Sequence, residues 1–269
     1  MISQRELSQI AFNQRKLDKV IEKDYVITWL LLGLANSTLK ELLAFKGGTA
    51  LKKIYFPDYR YSEDLDFTLL GNTDELVLLD GVRMLLTDLA KAQAFQFDLK
   101  EEKIERRSDT LTFYVDYMGP LQAQLGSRDI KVDITLDEQL IFPLEERLVV
   151  SPYSDSEGLN RKLKVYSLEE VLTEKLCALI GRTEPRDLYD LHYLFDFGHL
   201  DYRAVADAFP IKAQSKDVDK RKLKQVLQER QPTIAKLWEN RLAHQVDDLP
   251  HLEAVIRKTN RYFRQYGMV

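Results

Sequence analysis

The sequence predicts an α+β fold, with a mixed sheet and flanking helices over residues 1–160 and an all-helical domain over 161–269. Three observations predict it. Apolar residues recur at helical spacing through the first forty positions. Three segments in the middle of the chain alternate apolar and polar residues with a period of two. After Pro152 the period becomes helical again and stays so.

Taken in order, Leu7, Ile10 and Ala11, then Leu17, Val20 and Ile21, mark amphipathic helix. Asp24 is placed to cap the next helix, whose stretch from Val26 to Leu34 is apolar almost all round and so expected in the interior. A short extended piece, Leu42 to Phe45, runs into Gly47-Gly48-Thr49 and a helical segment ending near Pro57. In 64–69, Leu65, Phe67 and Leu69 face one way and Asp64, Asp66 and Thr68 the other. In 111–117, Leu111, Phe113, Val115 and Tyr117 share a face. In 129–136, Ile130, Val132, Ile134 and Leu136 oppose Asp129, Lys131, Asp133 and Thr135. A helix from Asp74 to about Ala94 separates the first strand from the others. Beyond the Ser-Asp-Ser-Glu-Gly turn, Ser167-Leu168-Glu169-Glu170 reads as a capping box, with Ser167 at the N-cap.

Composition narrows the function classes. At 269 residues, 45% apolar and 30% charged, the chain has the make-up of a folded protein of one large or two modest domains. The single Cys177 cannot form an internal disulfide, and it falls opposite Leu168 on the helical wheel with no activating base beside it. His192, His199, His244 and His251 lack the H-E-x-x-H spacing of a zinc protease. The longest apolar run, Tyr25 to Ala35, is about half of the ~20 residues a membrane span needs. With no secretion signal in Met-Ile-Ser-Gln-Arg-Glu, the expectation is a cytoplasmic protein without a membrane partner. Net charge is −4, but basic residues gather in 212–230 and again at Arg257, Lys258, Arg261 and Arg264. These are either solvated helix faces or a wall for a polyanion.

The densest chemistry lies at Lys46-Gly47-Gly48-Thr49 and at Asp64 and Asp66. Two glycines let backbone approach a ligand closely, and the start of the following helix suits a phosphate. At i and i+2 on a strand, the two carboxylates share a face and repel unless a cation lies between them, for which magnesium is the usual remedy. Asp133 is on the polar face of another strand; were the strands neighbours, three carboxylates would converge as two-metal phosphoryl transfer requires. In the helical region, Lys175 falls at about −20° from Leu168, within an apolar stripe of Val171, Leu172 and Leu179, with Arg182 at about −40°. Such a lysine must reach a partner, line a cleft or snorkel to solvent. Asp187 and Asp190 sit on one side of the next helix, which begins at Pro185. They are either early-helix charges or partners for Arg182, Arg186 or Lys175.

These residues together resemble a known family. Lys46-Gly47-Gly48-Thr49-Ala50-Leu51, Lys53 and Arg60-x-Ser62-x-Asp64-Leu65-Asp66-Phe67 are similar to the opening signature of the AbiEii/AbiGii nucleotidyltransferase toxins. Ser167-Leu168-Glu169-Glu170, Glu174-Lys175-Leu176-x-Ala178-Leu179, Arg182 and Arg186-Asp187-Leu188-Tyr189-Asp190-Leu191 resemble that family's second region. The resemblance implies a DNA polymerase β-like nucleotidyltransferase sheet and a helical C-terminal domain closing the active-site cleft. It also implies an Mg²⁺-dependent enzyme of a toxin–antitoxin or phage-defence system, transferring NMP from NTP to RNA, with the tRNA 3′ end as acceptor and an antitoxin protein as partner. On the same ground Asp64, Asp66 and Lys175 carry catalysis, with Asp187 or Asp190 supplying a further acidic function. Gly47, Gly48, Thr49, Lys53, Arg60, Ser62, Arg182 and Arg186 hold the nucleotide, and Asp64 and Asp66 hold metal, with Asp133 fitting the usual third carboxylate of the polymerase β-like fold, which this family's motif does not itself require. Two other readings of the residues are a nucleotidyltransferase acting on a small molecule or protein, and a non-catalytic NTP-binding signalling module. Salt dependence separates the first from RNA transfer, and absence of pyrophosphate release would mark the second.

Overall fold

The computed structural model describes residues 1–269, which form two compact units. One comprises Met1–Glu138 with Leu144–Val165, the other Gln139–Pro143 with Tyr166–Val269.

The first unit opens with helices α1 (Gln4–Asn13) and α2 (Asp18–Leu34). Strand β1 (Leu43–Lys46) leads into the short helix α3 (Gly47–Ala50), continued by a wider helical turn over Leu51–Tyr55. Then follow β2 (Leu65–Leu69), α4 (Glu75–Gln93), β3 (Gln96–Leu99), β4 (Glu105–Arg106), β5 (Thr110–Met118), β6 (Asp129–Thr135), β7 (Leu144–Leu148) and β8 (Lys162–Tyr166). These make one mixed sheet in the order β3-β5-β6-β2-β1-β8-β7, with β4 also on β5. β2 runs parallel to β6 and β1 parallel to β8, while β1–β2, β5–β6 and β3–β5 are antiparallel.

Alternation decides which sheet face is dry. Phe45, Phe67, Ile134 and Leu111 form one continuous row across four strands, all buried. Leu30, Leu31 and Leu34 of α2 and Val82, Leu85 and Leu86 of α4 enclose a small apolar void with Phe67 and Ile134 of that row. The next row, one residue along each strand, consists of Lys46, Asp66, Asp133 and Thr112 on the opposite face.

The second unit is helical: α5 (Leu168–Gly181), α6 (Pro185–Phe197), α7 (Tyr202–Ser215), α8 (Leu223–Leu242) and α9 (Leu252–Gln265). Cys177 is buried in α5, and Tyr189 packs on Tyr193 at 6.4 Å between ring centroids. No helix is long and apolar enough to cross a membrane.

Several expectations need correction. The chain is not helical throughout after Pro152, because β8 follows the turn and pairs Val165 with Phe45. Its Lys-Leu-Lys-Val-Tyr alternation is too short to stand out against the helix beyond it. Asp24 is no cap: α2 starts at Asp18, and Asp24 lies inside it, buried against Lys53. The capping box is half made. Ser167 Oγ accepts from the Glu170 N–H at 3.3 Å, but the Glu170 carboxylate turns instead to Lys212 at 2.6 Å and to the Ile141 and Phe142 N–H groups.

Candidate active site

The Gly-Gly turn is built around the strand that carries the carboxylates. Gly47 has φ +79°, the left-handed region that favours glycine, and a Cβ there would collide with the carboxylate of Asp66. A Cβ on Gly48 would meet Arg60 Nη2 at 2.6 Å and Ser62 Oγ at 3.5 Å. The buried Thr49 hydroxyl donates to the Asp64 carbonyl at 2.5 Å, stitching the helix start to the entry of β2. Gly47, Gly48, Thr49, Arg60, Ser62, Asp64 and Asp66 are thus one local assembly, as the sequence spacing suggested.

Asp66 pairs in register with Asp133 on the parallel neighbour β6 and with Lys46 on β1. Adjacent strands are about 4.8 Å apart, so the two aspartates project side by side from the polar face. Asp64 stands two residues before Asp66 on that face. Asp133 accepts from Thr112 Oγ1 and from Lys131 Nζ, both at 2.5 Å. Burial opposes the charge on Lys131, but Asp133, helped by Asp64, outweighs it and holds the ammonium above its ordinary pKa. Lys46 Nζ lies 3.3 Å from Glu138 Oε2, whose side chain is almost fully enclosed.

In this arrangement no three His, Cys, Asp or Glu side chains stand close enough to cage an ion. The convergence of Asp64, Asp66 and Asp133 is therefore one of strand register, with Lys131 occupying Asp133. The donor set still fits a hard divalent cation: carboxylate oxygens, free of sulfur and imidazole, beside a glycine whose missing Cβ leaves Asp66 its room. Lys131, Thr112 and Glu138 join this face beyond the residues that the sequence points to. Lys131 carried a signal, being two residues before Asp133 on the same face; Glu138 carried none.

Lys53 departs from expectation. Its ammonium is sealed 2.6 Å from Asp24 Oδ2, and the same oxygen accepts from the Tyr153 hydroxyl at 2.6 Å. Burial pulls the Lys53 pKa down against the pull of Asp24. It braces α2 against the helical turn.

In the helical unit, α5 and α6 bring together four of the expected residues. Lys175 Nζ is 2.7 Å from Asp187 Oδ1 and 2.7 Å from Asp190 Oδ2. Arg182 grips Asp187 with two bonds, Nε to Oδ2 at 2.7 Å and Nη2 to Oδ1 at 3.0 Å. Both aspartates are fully buried, whereas the Arg182 side chain is 53% exposed. Burial would raise Asp187, but Lys175 and Arg182 outweigh it and keep its pKa below the ordinary carboxylate value. Lys175 thus reaches partners at the cost of no unpaired buried charge. Arg186 is half-buried in the first turn of α6.

The basic stretch 212–230 is not one surface. Lys212 is fully buried between Glu170 and the Gln139 carbonyl, and Arg230 caps the end of α5 through the Leu179 and Arg182 carbonyls. Lys220, Arg221, Lys222 and Lys224 are exposed.

The whole chain superposes on MenT4, a nucleotidyltransferase toxin from Mycobacterium tuberculosis H37Rv, covering 91% of it at TM-score 0.73 and 20% identity. It matches JHP933 from Helicobacter pylori over 93% of each chain at TM-score 0.59 and 17% identity. A putative nucleotidyltransferase from H. pylori matches over 93% of this chain and 97% of its own, at TM-score 0.57 and 18% identity. At these identities the likeness is one of fold. None of the curated proteins matches the chain in sequence. The family model described as nucleotidyl transferase AbiEii toxin, type IV TA system, matches residues 29–265, and with the Gly-Gly turn and the paired aspartates in place the chain belongs to that family of nucleotidyltransferase toxins.

Proposed function

We propose that this enzyme transfers NMP from an NTP to the 3′-hydroxyl of an RNA, with tRNA as the acceptor class, as the toxic half of a pair with an antitoxin protein. The observation that carries the reading is the pairing of Asp66 with Asp133 beside the Gly47 turn. In the reaction the RNA 3′-oxygen bonds to the α-phosphorus, the α–β phosphoanhydride breaks, and pyrophosphate leaves.

Asp64, Asp66 and Asp133 would hold magnesium, in the two-ion manner. When bound, the metal supplies charge stabilisation for the attacking and leaving oxygens. Gly47 and Gly48 let Asp66, Arg60 and Ser62 close on the turn, and Gly47, Gly48 and Thr49 would hold the triphosphate there. Lys131 and Lys46 supply positive charge on the same sheet face. Lys175, Asp187 and Asp190 form a rigid base for Arg182, whose half-exposed guanidinium can meet an anion, and Arg186 in the first turn of α6 would add a second cation. Lys53 has no part in this reading. The cytoplasm, where NTP and tRNA occur together, is the place of action.

The test is label transfer from each of the four NTPs to bulk bacterial tRNA with Mg²⁺, wild type against Asp66→Asn. Label in tRNA with wild type alone supports the reading. Pyrophosphate released with another acceptor but not with tRNA would overturn the acceptor and leave the enzyme class standing.

A further inference from the structure

α9 turns Leu252, Val255, Thr259 and Phe263 into the interior of the helical unit. On the other side Arg257, Arg261 and Arg264 fall within an arc of about 60° and span about 10 Å of axis. All three are exposed. The neighbouring carboxylate of Asp196 is already engaged, by Lys258 Nζ at 2.8 Å and by the Tyr262 hydroxyl at 3.3 Å. Arg261 lies over the Tyr262 ring at 5.4 Å, while Tyr262 and Tyr266 stack inward on Phe195 and Tyr202 at 4.9 and 4.8 Å between centroids and anchor the helix. Glu253 is the only acid on α9, in a chain whose net charge is −4.

A row of exposed guanidiniums is the chemistry that meets successive phosphates. A protein partner would call for an apolar centre. The exposed large apolar side chains lie off this helix, most of them in the other unit, as at Phe12, Leu17, Leu76 and Met84. We propose that the exposed face of α9, centred on Arg257, Arg261 and Arg264, docks the phosphate backbone of the acceptor RNA. The inference rests on the reading that the acceptor is RNA.

The experiment measures equilibrium binding of bulk tRNA to the full chain over a salt series, with label transfer run on the same proteins. The variants are the Arg257→Gln, Arg261→Gln, Arg264→Gln triple, its Arg→Lys counterpart, and a Lys220→Gln, Lys222→Gln, Lys224→Gln control. The glutamine triple should weaken binding at least tenfold, and its slope of log K against log salt should drop by about 2 to 3. The lysine triple should keep most of the affinity, and the control should lose less than the glutamine triple. Wild-type-like binding by the glutamine triple overturns the inference, as does a wild type that binds no tRNA, or a triple that keeps RNA but loses its antitoxin. Binding that depends on α9 without label transfer would uphold the docking face while the acceptor reading fails.

Discussion

Asp66 and Asp133 are in-register neighbours on two parallel strands that meet only through the fold, with the Gly47 turn packed against the first of them. Asp66→Asn is expected to lower nucleotidyl transfer by at least about a hundredfold, the scale of a lost electrostatic stabiliser. Because Asp66 is only half-buried on the polar face, its melting temperature should stay near wild type. A variant that kept wild-type transfer would remove Asp66 from the site.

Gly47→Ala combines two costs. A left-handed φ disfavours alanine by about 1–2 kcal/mol, and the added methyl collides with the Asp66 carboxylate. Chemical denaturation should show at least that loss, together with weaker NTP binding. The exposed Gly71, also at positive φ but with open space where a Cβ would sit, is the control: its alanine variant should lose stability alone.

Lys212 and Glu170 form an ion pair from which solvent is excluded on both sides. Lys212→Ala strands the Glu170 carboxylate and should cost about 3–5 kcal/mol in denaturant unfolding. A surface lysine of the same region, Lys224→Ala, should change stability by less than about 0.5 kcal/mol. Equal effects would contradict the burial of Lys212.

Asp187 links the helical unit to acid. Its folded pKa lies below the unfolded value, so its contribution is present above the unfolded pKa and is lost as pH falls through the folded one. Asp187→Asn should therefore flatten the acid limb of the stability curve below about pH 4. A variant with the wild-type acid limb would show that Lys175 and Arg182 do not hold the carboxylate.

His192 works at milder pH. Burial lowers its pKa from 6.5, with Lys258 adding to the shift and Asp196, 3.5 Å away, opposing it. The unfolded chain then takes the proton first, so stability is lost as pH falls below about 6.5. Unfolding titrations from pH 7.5 to 5 should show this slope in wild type and a shallower one in His192→Gln.

Much of the site was legible because its parts are local. The period of two put Asp64 and Asp66 on one face and Asp133 on the polar face of its own strand, and the wheel put Lys175 on an apolar stripe where it needed partners. The fates of individual lysines were not legible. Lys53 and Lys212 lie in basic runs that read as ligand-facing or solvated, yet each is sealed against a carboxylate from a distant segment, Asp24 and Glu170. Glu170 misled for the same reason: capping spacing is local, while its true partners, Lys212 and the Ile141 and Phe142 amides, are brought by the fold.

Local pattern sets the faces: which side chains of each strand and helix point inward, where a glycine is needed, and which residue types are available for phosphate and metal chemistry. These follow from backbone geometry over a few residues. The neighbours come from long-range packing. That β6 lies beside β2, that Lys131 shares Asp133, and that two carboxylates close on Lys175 depend on strand order and helix packing, where nonlocal burial of the apolar rows selects one pairing from many.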